Sequence, residues 1–145
     1  MIVAKSKPPL VFWVVSVVLL LWALAGLGAF YAHVTLDPAK QPDMTAYDRT
    51  YFAALPSWFS YVFALAVLPA VAGGVALLLR SRIARPLFIA SLIGVILQFG
   101  YVFGATDLIA HKGVAATVPF PFVIFLIAVV QLWASGLFIR RGWIS

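Results

Sequence analysis

Two glutamines, Gln98 and Gln131, sit deep inside long uncharged stretches of the chain. A side-chain amide carries two N–H donors and a carbonyl acceptor, and it is costly to place in hydrocarbon without partners. Gln98 lies 13 residues beyond Arg85, and Gln131 lies nine before Arg140. At roughly 1.5 Å per helical residue, both fall near the middle of a bilayer, within about one turn of each other in depth. On helical spacing Ser91, Gly94, Gln98, Tyr101 and Ala105 form one stripe, and Ala128, Gln131 and Ser135 form another. Both stripes should face the protein interior, where the two amides could bond to each other. Ser91, Gln98, Tyr101, Gln131 and Ser135 are therefore the candidate binding residues. They would serve either as the polar floor of a small cavity or as hydrogen-bonded glue between helices, a common packing device.

Other groups offer less. Asp107 and His111 are four residues apart and would share a helix face, as a metal-binding or proton-passing pair. Two ligands are too few for a metal site, and the pair also reads as a solvated loop at the membrane edge. His33, the only other histidine, could join His111 as a haem ligand in a four-helix bundle, but no further haem signal accompanies it. His33, Asp107 and His111 are thus the metal-ligand candidates, and no cofactor is expected. Gly100 and Gly104 face away from the Gln98 stripe and would suit another helix contact, self-association included.

Several chemistries lack their residues. With no cysteine there is no thiol nucleophile, thiolate metal site or disulfide. The long apolar runs contain no charged residue, whereas ion-coupled carriers usually keep an ionisable group in the membrane. There is no Ser/His/Asp set, metalloprotease helix or phosphate loop. A non-enzymatic protein is expected.

The elements that must position the glutamines follow from the distribution of charge. Of 145 residues, 65% are hydrophobic, with ten Lys or Arg against four acids, all of them Asp. The net charge of +6 does not indicate nucleic acid, because the positive residues sit at the ends of apolar runs rather than in a patch. Uncharged intervals of 29, 30, 21 and 27 residues separate Lys7 from Asp37, Arg49 from Arg80, Arg85 from Asp107 and Lys112 from Arg140. A membrane-spanning helix takes about 20 residues, so all four qualify. The first interval is too long for the apolar core of a signal peptide and lacks a convincing cleavage site, so it reads as a retained span.

The resulting expectation is an all-α membrane protein forming a single transmembrane domain over residues 1–145. Its four-helix bundle would span about 9–33, 57–79, 86–106 and 118–139, with Pro86 opening the third helix. Ala25, Gly26, Gly28, Ala29 and Ala32 make the second half of the first helix slim, and Ala66, Ala70 and Gly74 form a small-residue ridge on the second. Pro69 frees the Leu65 carbonyl, which predicts a kink. The connection 34–56 should hold a short interfacial helix near 46–55. Thr45 stands three residues before Asp48 as a capping box, and Tyr47, Tyr51, Ala54 and Leu55 share one face. Seven Lys or Arg fall on the side of the N-terminus, the Arg80–Arg85 turn and the C-terminus, against three on the other side. The positive-inside rule then places both termini in the cytoplasm.

The stretches LPSWFSYVFALAV and LLLRSRIARPLFIASLIGVILQFGY carry Pro56, Trp58, Arg80, Arg82, Leu87, Phe88, Ser91, Leu92, Gly94 and Gln98. In these the chain resembles a group of small bacterial four-span integral membrane proteins that often bear the label of sugar transporter. The resemblance implies a bacterial inner membrane. A sugar site needs several converging hydrogen-bonding groups and stacked aromatic rings, of which this interior offers few. The expected role is an accessory subunit of a membrane complex or a lipid- or apolar-ligand-binding component. The alternative is a small-solute transporter acting as an oligomer. Expected partners are the lipid bilayer, a further membrane protein or a second copy, and no nucleic acid.

Overall fold

A computed structural model describes residues 7–36, 42, 44–105, 110, 112–113 and 118–145. The elements described are four long helices, α1 (Leu10–Thr35), α3 (Trp58–Leu78), α4 (Ala84–Ala105) and α5 (Pro119–Arg140), and one short helix, α2 (Ala46–Ala54), between the first two. Among the described residues there is no strand. Each long helix is long and apolar enough to cross a bilayer. Their outward faces are as greasy as their inward ones: Val14 and Leu21 on α1, Ile93 and Leu97 on α4, and Val130 and Trp133 on α5 are all exposed. Helices apolar all round, with wide apolar surface left uncovered, have lipid as their solvent. This is the architecture of a multi-pass membrane protein.

The helices pack in chain order, α1 on α3, α3 on α4 and α4 on α5. Between helices in lipid there is no hydrophobic drive, so close backbone approach decides which pairs hold. At the α3–α4 crossing Gly94 lies directly on the backbone of α3, where a Cβ would come within 2.7 Å of the Ala66 Cα. At the α1–α3 crossing a Cβ on Gly74 would lie 3.2 Å from the Leu20 Cα. The ridge of Ala66, Ala70 and Gly74 thus serves two neighbours, one at each end. α3 continues through Pro69 without interruption.

α4 opens at Ala84, two residues earlier than expected, so Pro86 lies within its first turn rather than at its start. The first turn has no intrahelical N–H partners, so proline costs nothing there. The α3–α4 turn closes α3 with Arg80 in the left-handed region (φ 55°). The Ser81 N–H donates to the Ala76 carbonyl at 2.8 Å and the Arg80 N–H to Leu77 at 2.9 Å, the paired bonds of a Schellman motif. α5 ends the same way with Gly142 (φ 75°), the Trp143 N–H donating to the Phe138 carbonyl at 2.9 Å. The tail then returns along the turn. Ser145 donates to the Arg80 carbonyl at 3.1 Å, and Arg80 Nε donates to the Trp143 carbonyl at 2.9 Å.

This basic end of the bundle is solid. Phe12, Leu19, Leu77, Phe88, Phe138 and Ile144 form its buried core. Phe12 joins α1 to α5 there, its ring 4.9 Å from Phe138 and 6.2 Å from Trp143, both edge-on.

At the opposite end α2 begins as expected from its capping box, with the Asp48 N–H donating to Thr45 Oγ1 at 3.0 Å. Asp48 also pairs with Lys112 at 2.7 Å, tying α2 to the α4–α5 connection. The Lys112 ammonium and the Thr45 hydroxyl hold the Asp48 carboxyl below its ordinary value. Tyr47 and Tyr51 stack with ring centroids 6.2 Å apart.

Candidate functional site

The other half of the bundle is hollow. A cavity of about 360 Å³ lies between the four spans, at the lower end of the roughly 300–1,000 Å³ typical of small-molecule sites. Its origin is the slim half of α1. Ala25, Gly26 and Ala29 border the cavity instead of making a close helix crossing, and Gly28 faces open space. α3 adds Ala66 and Ala70, also small, and α5 adds Ala128. Aromatic rings frame the space: Trp22 from α1, Phe63 from α3, Phe99 from α4 and Phe120 from α5.

The polar part of the wall comes from three residues, Ser91, Gln98 and Gln131. Ser91 is buried, and its hydroxyl donates across the α3–α4 crossing to the Ala66 carbonyl, one residue from the Leu65 carbonyl that Pro69 leaves without its helical donor. Gln98 is 8% exposed and Gln131 3%. They do not bond to each other, and neither side chain is hydrogen-bonded to another described residue. Their amides reach the cavity rather than being sealed in protein, since Ser16 Oγ is the one enclosed polar side-chain atom without a partner among the described residues. Two amides thus point their donors and acceptors into an otherwise apolar chamber.

The remaining candidates lie elsewhere. Tyr101 shares the helical stripe of Gln98 but lies three residues, nearly a turn, further along α4. Its ring packs edge-on against Trp58 at 5.0 Å and tilted against Phe59 at 5.9 Å. Ser135 is buried in the solid half, where its hydroxyl donates to its own helix at Leu132, 2.7 Å away. The His33 ring sits half-buried among Phe52, Phe59 and Phe63, at centroid distances of 5.4, 5.6 and 5.2 Å. Asp107 and His111 lie outside the described residues. Among the described residues no group of three or more His, Cys, Asp or Glu comes together. Gly100 and Gly104 face open space on the outer side of α4, where a methyl group on either Cα would have no atom within 4 Å.

Sequence reasoning missed two residues. Phe52 turns inward to His33, although the face expected to be shared ran through Tyr47 and Tyr51. Ser16 is fully buried in the solid half, and its signal is that it carries the lone hydroxyl in the first four turns of α1. No family model, curated protein or solved structure matches this chain.

Proposed function

We propose that this is a non-enzymatic integral membrane protein that binds a lipid or other apolar ligand in the half-bundle cavity. The observation that carries this reading is the pair of nine-tenths-buried amides, without partners among the described residues, on the wall of a greasy chamber. A glutamine side chain left without partners in hydrocarbon is costly, and a bound molecule with a hydrogen-bonding group removes that cost. The packed Phe12, Phe88 and Phe138 core beyond the cavity favours holding a molecule over passing one through. The charge balance of the two sides supports cytoplasmic termini. A role as the ligand-binding subunit of a larger membrane complex fits the same features.

The test is to purify the full chain in mild detergent, extract it with organic solvent and identify what remains by mass spectrometry. A single molecular class held in near-stoichiometric amount, and lost on Ala29→Phe at the cavity wall, is the expected result. A sample that retains only the bulk lipid mixture, unchanged by Ala29→Phe, rules the reading out.

A further inference from the structure

Resting on that reading, we infer that the ligand is an uncharged amphipath with a hydroxyl or carbonyl head, held with its head at mid-membrane against Gln98 and Gln131. The two amides stand about 20 Å and 14 Å from the nearest basic residue along their helices, close to the centre of a hydrocarbon layer about 30 Å thick. An ordinary phospholipid keeps its headgroup at the surface and cannot place it there.

The site is uncharged. Among the described residues no Lys, Arg, His or Asp lines the cavity. A carboxylate or phosphate brought to that depth would lose its hydration with no cation to replace it, and an ammonium would find no anion. A neutral head avoids this penalty. Both amides offer N–H donors and a carbonyl acceptor, and the Ser91 hydroxyl, having given its proton to Ala66, retains lone pairs that can accept. A hydroxyl can use either kind of partner, and a carbonyl can take two N–H donors.

Access is lateral. The wall residues Ala25 and Ala29 on α1 and Phe120 on α5 are exposed rather than covered by protein, so they mark a mouth between these two helices. α1 and α5 meet through Phe12 and Phe138 at the basic end, which confines the opening to the other half. A chain already dissolved in the bilayer can slide through that gap without crossing water. Its tail then lies along the small residues of α1.

Trp22 lines the cavity and reports occupancy directly. The full chain in detergent micelles is titrated with four terminally brominated ten-carbon probes, which quench tryptophan on contact: decanol, a decyl ketone, decane and ionised decanoate. Decanol or the ketone should quench saturably, and the saturable part should vanish in Trp22→Phe. Decanoate and decane should bind at least tenfold more weakly. Gln98→Leu and Gln131→Leu should each weaken decanol about tenfold, the effect of one lost hydrogen bond to a buried group. The Gln98→Asn and Gln131→Asn variants keep the amide and should retain more of the affinity. If decane binds as tightly as decanol and the leucine variants change nothing, the neutral-head assignment falls while an apolar-ligand site survives. If decanoate matches decanol, the assignment falls as well. If no probe gives saturable quenching at Trp22, the cavity is not a ligand site and both readings fall.

Discussion

Replacing Gly94 by alanine should be the most damaging single-methyl change in the bundle. The new Cβ would sit 2.7 Å from the Ala66 Cα and equally close to the Leu65 carbonyl carbon. Both are backbone atoms of α3, so no side chain can swing away and the two helices must separate. Overpacking of this kind costs about 1–3 kcal/mol. The same separation lengthens the Ser91 bond to the Ala66 carbonyl, worth about 0.5–1.5 kcal/mol net. Relative to a glycine-to-alanine change without a clash, the expected loss is therefore about 1.5–4.5 kcal/mol. Gly100, six residues further along the same helix, supplies the matched comparison, because nothing lies within 4 Å of its Cβ position. Gly100→Ala should match the parent chain or exceed it by up to about 1 kcal/mol, the gain in helix propensity that both substitutions share. Reversible unfolding in mixed micelles, titrated with sodium dodecyl sulfate and followed by circular dichroism, measures both variants. If Gly94→Ala unfolds at the same detergent fraction as Gly100→Ala, close contact between α3 and α4 is not what holds the pair together, and the packing account is wrong.

Ser16→Ala should stabilise the chain by about 1 kcal/mol in the same titration, since it removes a fully buried hydroxyl that has no partner among the described residues and leaves the surrounding core in place. Arg80→Ala should destabilise by about 1 kcal/mol and speed amide exchange at Ser145, because it keeps the left-handed backbone while losing the bond to the Trp143 carbonyl. Arg80→Gly should cost less, as glycine takes that conformation without strain. The Asp48 carboxyl, observed by carbon NMR, should titrate below its ordinary value of 3.8 and return upward in Lys112→Met. Because the folded value is the lower one, the Asp48–Lys112 tie is complete above pH 3.8 and is lost as the pH falls through the depressed value. An Asp48 titration at or above the ordinary value contradicts the ion pair.

The spans were legible because charge punctuates them. Lys7, Arg49, Arg80, Arg85, Lys112 and Arg140 bracket the apolar runs, and a buried charge is expensive enough to forbid other divisions. That Gln98 and Gln131 lie inside the bundle follows from the cost of an amide facing acyl chains. Whether they would bond to each other or border a space was not legible. Alanine and glycine on α1 permit either a tight crossing or a void, and the outcome depends on how far α1 stands from α5, a distance that no local pattern encodes. Tyr101 obeyed the helical period but not the depth, since Trp58 and Phe59 fill the space where its stripe leaves the cavity. Ser135 shows a second limit. A serine in a helix can donate to a carbonyl of its own preceding turn, so its burial does not require a partner on another helix.

The stitching of Trp143–Ser145 to the Arg80 turn has a mechanical consequence. It makes the basic end a fulcrum, with α1 and α5 as the two arms of a clothes-peg joined by Phe12 and Phe138. α5 has 22 residues, an arm of about 33 Å. A tilt of about 5° about that end corresponds to about 3 Å at the far tip, so small changes in the bonds at the pivot are magnified where α5 borders the cavity.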